Sequence, residues 1–521
     1  MSKNRTPQSI WTYLVVSLLV FLTVACSPQQ QGSTNASPAV PANALQILAG
    51  SELADMTPIL QSFTAKTGIP VNMVSTGTLS AVDTLLDPHT VDAVWVSHAK
   101  YLKQVPGVRD QLANSEKTMF SPVILGVKPE KAAELGWKST VSWKDVLAAV
   151  SAKKLHLAMT TPTGSNTGFV TLVGLASELS GKGDAMTAAD VPTAALKQFY
   201  AGVTLTSGSS GDLAKRFTAD PTAADAMINY ESVIDTLPSP LVKIVPTEGV
   251  ITADYPLILL KKSPRADQYN QLVAYLRDPA VQQQIATLTK RQPLSNSATT
   301  VVNELPFPAT SDVIDALLQQ FQDGISRPVA TFFVLDISGS MSGERLNNLK
   351  QAMHTLVAGD NTLSGRFSTL RPRETVGITF FSTNAHQTKL FDLKDTREAS
   401  KPILADIDQL VQSAAVEDGT AIYSGLLEAL TSAQASAKAG KRTAIVLMTD
   451  GANNAGPSLV DFIQQIQQPP LNGYKIPVYG ILFGEASSTD MDKLASATGG
   501  AVFDARKTPL RTVFKTIRNY Q

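Results

Sequence analysis

The sequence is poor in the residues that cross-link a chain or charge its surface. Its 521 residues include one cysteine, Cys26, so no disulfide can form within the chain. Charged residues make up only 17%, and the 44 basic side chains balance the 44 acidic ones, which argues against a nucleic-acid-binding protein with its basic excess. A hydrophobic fraction of 43% excludes a disordered chain, and the length predicts about three structural units.

Charge is also missing from one long stretch near the start of the chain. No charged residue lies between Arg5 and Glu52, and residues 10–25 are almost wholly apolar up to Ala25. A short basic segment, an apolar run and a small residue, in this order, are typical of a secretory signal. As a helix the run would rise only about 24 Å, less than the ~30 Å hydrocarbon core, which disfavours an uncleaved anchor helix.

The residues around Cys26 resemble a bacterial lipobox, although Leu22 lies one position before the usual leucine. The resemblance implies that residues 1–26 are a lipoprotein signal peptide and that Cys26 is lipidated. The protein would then be exported and lipid-anchored in the bacterial cell envelope, at the outer membrane or cell surface rather than the inner membrane. Residues 27–44 carry no charge and are rich in Gln, Ser, Pro and Ala, which predicts a disordered tether.

Residues 45–325 alternate short apolar runs with amphipathic helices, which predicts an α/β fold of two lobes. Ligands of such sheets bind at the carboxyl ends of the strands, where polar residues cluster here. Each of these residues is individually explained as a helix cap, but their recurrence at equivalent strand ends favours a cleft. Helix starts also favour an anionic group on the solute, although no Arg is obviously placed to bind one. The candidate solute-binding residues are Ser51, Thr76, Thr78, Ser97, Thr163 and Ser165.

This region resembles type 2 periplasmic solute-binding proteins along most of its length. The resemblance is carried by LQILAGSEL, VDAVWVSHAKYL, SPVILGVKPEKAAELGW, LHLAMTTPTGSNTGF and ITADYPLILLK. It implies a two-lobed periplasmic-binding-protein-like domain with crossing strands near residues 121–127 and 254–260, and a small solute in the cleft. It leaves open that the fold survives only as a scaffold.

Residues 328–521 begin with a near-continuous apolar strand, 330–337, of the kind that is buried on both faces. Asp336, Ser338 and Ser340 lie at its end and place three oxygens in one loop. Two more loops contribute a hydroxyl at Thr420 and a carboxylate at Asp450. Five oxygen ligands without His or Cys predict a site for Mg²⁺ (or Mn²⁺) rather than for Zn²⁺.

The order D-x-S-x-S, then T, then D resembles the metal-ion-dependent adhesion site (MIDAS) of von Willebrand factor A domains. That resemblance implies a Rossmann-like domain and one open coordination position on the metal. A partner protein would fill this position with an Asp or Glu.

The sequence is compatible with three functions. The favoured one is a cell-envelope lipoprotein that binds a protein partner through the metal, with an attached domain that senses a small ligand or serves as scaffold. The alternative is the solute-binding receptor of a membrane transporter with an accessory A domain. A metal-dependent hydrolase is the third, but the sequence has no G-x-S-x-G elbow or Walker A loop, and its five histidines show no metal spacing. We therefore predict a protein that is not an enzyme.

Overall fold

The computed structural model describes residues 41–138, 140–294, 303–360, 362–484, 488–508 and 510–520. The predicted signal peptide, Cys26 and nearly all of the predicted tether lie outside these ranges. Within them, no helix has both the length and the apolar character needed to cross a membrane. From Asn43 onward the chain forms one compact unit, which contains two lobes and a C-terminal domain.

The two lobes are built around two separate sheets. The described strands of this first domain are β1 Leu45–Gly50, β2 Val71–Thr76, β3 Ala93–Trp95, β4 Leu112–Lys117, β5 Ser121–Val127, β6 Leu157–Thr160, β7 Val203–Ser207, β8 Ala226–Tyr230, β9 Val242–Ile244, β10 Thr252–Ala253 and β11 Pro256–Leu260.

Its described helices cover the faces of these sheets. They are α1 Thr57–Thr67, α2 Thr78–Leu86, α3 Lys100–Gln104, α4 Pro129–Glu134, α5 Trp143–Ser151, α6 Asn166–Ser180, α7 Thr193–Ala201, α8 Ser210–Ala219, α9 Glu231–Ile234, α10 Ala266–Leu276, α11 Pro279–Thr289 and α12 Ser311–Gln320.

Lobe 1 contains the sheet β2-β1-β3-β11-β4, and lobe 2 contains the sheet β10-β5-β8-β6-β7, with β9 also paired to β5. The chain passes from lobe 1 to lobe 2 between β4 and β5 and returns between β10 and β11. Strands β1, β2 and β3 run parallel, as do β8, β6 and β7, so the carboxyl ends of these strands face the space between the lobes. One hydrophobic cluster runs through both lobes.

The C-terminal domain, from Val329 onward, has a single six-stranded sheet. Its described strands are β12 Val329–Asp336, β13 Thr375–Phe381, β14 Lys389–Asp392, β15 Arg442–Thr449, β16 Val478–Leu482 and β17 Ala501–Asp504. Its described helices are α13 Glu344–Ala358, α14 Leu363–Arg366, α15 Arg397–Gln412, α16 Ile422–Lys438, α17 Leu459–Ile466, α18 Ser488–Thr498 and α19 Leu510–Arg518.

The strand order of this sheet is β14-β13-β12-β15-β16-β17, and every pair is parallel except β13 with the edge strand β14. Strand β12 is buried along its whole length because helices cover both faces, each with its own hydrophobic cluster. The strand order reverses between β12 and β15, which is where open parallel sheets bind ligands at the carboxyl ends of the strands. The predicted α/β class, with a two-lobed domain followed by a Rossmann-like domain, is confirmed.

Candidate functional sites

The carboxyl ends of β12 and β15 bring four of the five predicted metal-site residues into one hydrogen-bonded group. The Asp336 carboxylate accepts from the Ser338 backbone N–H at 2.8 Å, and the hydroxyls of Ser338 and Ser340 are 3.0 Å apart. The Ser340 hydroxyl donates to Asp450 Oδ1 at 2.8 Å. Asp336, Ser338 and Asp450 are buried while Ser340 is exposed, so the group forms a floor that opens to solvent on one side.

Asp336 is a buried carboxylate without a cationic partner among the described residues. Its side chain is fully buried, and its second oxygen accepts from the Thr449 hydroxyl at 2.6 Å. Burial raises the pKa of Asp336 above its ordinary value, against the opposing effect of the hydrogen bonds from Ser338 and Thr449. A buried charge that is hydrogen-bonded but not neutralised is costly, and a divalent cation would supply the missing positive charge.

The fifth predicted residue, Thr420, lies in a loop next to this group. A short β-type contact between Ser338 and Glu417 sets the two loops side by side. The Thr420 backbone N–H donates to Asn454 Oδ1 at 2.8 Å, and Thr420 is buried. Within the described part of the chain, no hydrogen bond joins its hydroxyl to the other four residues.

Asp450 has a cationic neighbour that sequence reasoning missed. The guanidinium of Arg345, on the first turn of α13, forms an ion pair with Asp450 Oδ2 and also donates to the Ser340 carbonyl at 3.2 Å. Arg345 is 40% exposed, so its side chain is free to turn toward solvent. The Arg345 guanidinium thus neutralises the charge of Asp450, one of the two carboxylates that would hold a metal ion.

The donor set fits a hard divalent cation. Two carboxylates and three hydroxyls offer only oxygen, which Mg²⁺ and Mn²⁺ prefer, and Mg²⁺ keeps waters in its remaining positions. Among the described residues, no three His, Cys, Asp or Glu side chains are grouped so that they could hold a metal ion together.

A second site lies between the lobes, where a cavity of about 350 Å³ has a polar lining. Five of the six predicted solute residues line it: Ser51, Thr76, Thr78, Ser97 and Ser165. The sixth, Thr163, does not. It faces a separate small cavity, and its hydroxyl accepts from Gln322 at 3.4 Å, because the turn before α6 directs Thr163 toward the C-terminal end of the first domain.

The lobes are close together around this cavity. The Thr78 hydroxyl of lobe 1 donates to Asn166 of lobe 2 at 3.3 Å. A Cβ added to Gly77 would lie 2.7 Å from the Gly164 carbonyl oxygen, so the backbones of the two lobes nearly touch. Helices α2 and α6 begin here, and neither N-cap residue, Gly77 or Ser165, accepts a capping hydrogen bond through its side chain; in α6 the Gly168 N–H donates to the Thr160 hydroxyl instead. Helix capping, the alternative explanation for these polar residues, therefore does not account for Thr78 and Ser165.

The cavity also contains a carboxylate that the sequence analysis did not single out. Glu52, the residue after Ser51, lines it and accepts from the Tyr230 hydroxyl at 3.4 Å. Burial raises the pKa of Glu52, while the nearby Arg291 guanidinium opposes this rise. Its position directly after a strand-end serine was visible in the sequence. A carboxylate in the lining does not favour a purely anionic solute.

His98 does not join the cavity lining. It is buried, and its ring packs 5.5 Å from that of Phe307. Burial, helped by Lys100, lowers the pKa of His98 to about 3, so the imidazole is neutral at ordinary pH. The structure gives it a packing contact rather than a contact with the cleft.

Comparisons with known proteins match both domains. Residues 45–287 match the family model of a bacterial extracellular solute-binding protein, and residues 332–516 match that of the von Willebrand factor type A domain. The predicted pairing of these two domain types in one chain is confirmed. A comparison with curated proteins gives no match.

Solved structures with similarity to this chain include several periplasmic proteins. The binding protein AfuA from Actinobacillus pleuropneumoniae, with fructose-6-phosphate bound, is 16% identical over 54% of this chain and 98% of its own, with a TM-score of 0.41. The apo ferric ion-binding protein A of Pasteurella haemolytica is 15% identical over 54% and 97%, with a TM-score of 0.39. The sulfate-binding protein SubI from Mycobacterium tuberculosis H37Rv is 15% identical over 51% and 93%, with a TM-score of 0.38.

Proposed function

We propose that this chain is an exported cell-envelope lipoprotein whose C-terminal domain binds a protein partner through Mg²⁺ or Mn²⁺. Asp336, Ser338, Ser340, Thr420 and Asp450 would hold the ion, directly or through water. The partner would add an Asp or Glu carboxylate as the remaining ligand. The two-lobed domain would bind a small solute, and neither domain would act as an enzyme.

The uncompensated Asp336 carboxylate carries the metal proposal. A fully buried carboxylate costs stability unless a cation neutralises it, and the described residues provide no Lys, Arg or His for Asp336. The hydroxyls of Ser338 and Ser340 lie beside it, and the exposed side of the group leaves room for a ligand from another molecule. A partner carboxylate fits this opening because it contributes both an oxygen ligand and a negative charge to a cation held by two carboxylates.

The match to extracellular solute-binding proteins supports export and a small-solute ligand. The cavity between the lobes supports the same assignment, since its volume lies in the range of small-molecule sites and its lining is rich in hydroxyl groups. Lipid attachment through Cys26 is proposed from the sequence pattern alone, and so is the outer membrane or cell surface as its location.

A calorimetric titration with Mg²⁺ tests the metal site. Wild-type protein is expected to bind one ion per chain, and Arg345→Gln to bind it up to about fivefold more tightly, because the Arg345 guanidinium competes with the cation for Asp450. Arg506→Gln is the matched control, since Arg506 pairs with Asp504 instead. A wild-type protein that binds no Mg²⁺ or Mn²⁺ would refute the proposal, and weaker binding by Arg345→Gln would contradict the competition.

A membrane-fractionation experiment tests the anchor. Cys26→Ser is expected to move the protein from the membrane fraction to the soluble fraction and to abolish incorporation of labelled fatty acid, because Cys26 provides the only thiol of the chain. Ser27→Ala is the control and should remain with the membrane. A Cys26→Ser protein that is processed as usual and still fractionates with lipid would exclude lipid attachment at this residue.

A further inference from the structure

The cavity between the lobes has a third wall that neither lobe provides. Helix α19 of the C-terminal domain and the two residues after it lie across the mouth of the cleft. The lining residues from this element are Thr512, Lys515, Thr516, Asn519 and Tyr520. A solute in this cavity would therefore lie against both domains of the chain.

On the lobe 2 side, the two residues after α19 are hydrogen-bonded to residues at the carboxyl ends of β6 and β7. The Thr161 hydroxyl donates to the Asn519 carbonyl at 3.2 Å, and the Thr206 hydroxyl donates to the Tyr520 carbonyl at 3.3 Å. The Arg216 guanidinium of α8 lies 5.4 Å from the centre of the Tyr520 ring. These contacts attach the end of α19 to the same lobe that supplies Ser165 to the cavity.

On the lobe 1 side, the contact is made by α14. The Asp83 carboxylate, on α2, accepts from the backbone N–H groups of Leu363 at 2.6 Å and Ser364 at 2.9 Å. Leu363 and Phe367 are buried in the hydrophobic cluster of the first domain rather than in the clusters of their own domain. Helix α14 is thus docked on lobe 1 by a charge-assisted contact and by apolar packing.

Within the C-terminal domain, Lys515 connects these two contact points. Its ammonium on α19 donates to the hydroxyls of Thr362 at 2.9 Å and Ser364 at 3.1 Å, and pairs with Asp360 at 3.2 Å. The next turn of α19 carries Arg518, which is buried in an ion pair with Glu374, the residue before β13. The segment that touches lobe 1 and the helix that touches lobe 2 are therefore parts of one rigid structure.

The lobes also contact each other directly, through the rings of Tyr101 and Phe169, whose centres are 5.2 Å apart, and through two long hydrogen bonds. Thr78 with Asn166 and Tyr230 with Glu52 are separated by 3.3 and 3.4 Å, at the long end of the hydrogen-bond range. Two-lobed domains open about the segments that cross between their lobes, and the contacts of α14 and α19 add to the direct contacts that oppose such opening.

We propose that the C-terminal domain completes the solute site as its third wall and bridges the two lobes, holding the cleft closed around a small polar solute. The charged side chains of the lining are Glu52 and Lys515, and Lys515 is already paired with Asp360. The other lining residues offer mainly hydroxyls, amides and glycines, which suits a small polar solute. That a solute occupies the cavity rests on the proposed function, whereas the bridging of the lobes does not.

An interlobe distance measurement tests the bridge. The full chain would carry Cys26→Ser, with spin labels on Ser62→Cys in α1 and Lys197→Cys in α7, both at exposed positions of opposite lobes. Asp83→Ala with Thr161→Val and Thr206→Val removes the side-chain hydrogen bonds of both docking contacts and leaves the apolar packing of Leu363 and Phe367 in place. By double electron–electron resonance, this triple variant is expected to show a broader and longer interlobe distance, by more than about 2 Å, the size of a domain rearrangement.

The matched control is Asp406→Ala with Thr218→Val and Thr431→Val. Asp406 is exposed on α15, and these two threonine hydroxyls bond only within their own helices, so the control should keep the original distance. Asp83→Asn alone retains one accepting oxygen and should give a smaller shift in the same direction. An unchanged distance in a folded triple variant, judged by circular dichroism, would overturn the bridge. No Mg²⁺ or solute is added, so failure of the proposed function would not produce this result.

Discussion

Replacing Asp336 with asparagine is expected to lower the affinity for Mg²⁺ by at least about tenfold, and up to a hundredfold, the range for groups that orient metal ligands. The substitution removes the charge but keeps the shape of the side chain. One oxygen can still accept from the Ser338 backbone N–H, so the loop that carries both serines should stay in place.

The metal-free Asp336→Asn protein is expected to be at least as stable as metal-free wild type. Asp336 is fully buried without a cationic partner among the described residues, so neutralising it removes an electrostatic cost. Wild type should gain about 2.7 kcal/mol of stability when Mg²⁺ is at 100 times its dissociation constant, and the variant should gain much less at that concentration. Lost binding together with retained stability distinguishes a metal site from a structural carboxylate.

Calorimetric titration and thermal unfolding with and without Mg²⁺ measure these two effects. Asp406→Asn is the control, because Asp406 is exposed on α15 and should change neither property. If Asp336→Asn bound Mg²⁺ as tightly as wild type, the metal site would not involve Asp336. A variant that lost stability without added metal would indicate that the carboxylate acts mainly as a hydrogen-bond acceptor for Ser338 and Thr449.

Replacing Glu374 with glutamine should destabilise the protein by about 3–5 kcal/mol, the cost of breaking a buried ion pair from one side. Both oxygens of Glu374 accept from the Arg518 guanidinium, at 2.6 and 2.8 Å, and the two side chains are almost completely buried. The Thr331 hydroxyl and the Arg371 backbone N–H also donate to this carboxylate. The uncharged amide would leave Arg518 as an uncompensated buried cation.

Scanning calorimetry measures this loss, which should lower the unfolding midpoint by about 3–5 °C, because the entropy of unfolding grows with the size of the compact unit that starts at Asn43. Glu398→Gln is the control, because Glu398 forms an exposed ion pair with Lys401 that contributes little. Burial alone would raise the pKa of Glu374, but Arg518 holds it below the ordinary value of 4.5. The stabilisation is therefore present above pH 4.5 and is lost as the pH falls below it, so wild type and variant should converge in acid. A midpoint equal to that of wild type at neutral pH would contradict this role.

The grouping of the residues proposed as a metal site could be predicted from the sequence because their geometry is local. Asp336, Ser338 and Ser340 are two residues apart at a strand end, and Asp450 follows the parallel neighbour β15 one residue beyond its end. Parallel pairing of two buried strands places both ends at one edge of the sheet, so the apolar runs that predict the strands also predict where the oxygens meet. The ion pair of Arg345 with Asp450 was not predicted, because a flexible side chain that reaches across two loops leaves no spacing pattern in the sequence.

The solute cleft was predictable only in part. Ser51, Thr76, Thr78 and Ser97 could be assigned because each directly follows or closely follows a predicted strand. Thr163 had the same kind of position in the sequence, but its turn is rotated toward Gln322 by packing against the end of the first domain. The direction of one side chain within a turn depends on backbone angles that a residue pattern does not determine.

The class of fold was determined by the sequence, because buried strands and amphipathic helices are local patterns. The pairing of the two domain types was implied by family resemblance, and the strand-end loops indicated the oxygen donors of the proposed metal site. The docking of α19 and α14 against the two lobes was decided only in the tertiary structure. Asp83 and Leu363 are 280 residues apart, and Thr161 and Asn519 are 358 apart, so no local signal marks them as partners. The packing of whole domains, rather than any segment's own preference, brings such residues together.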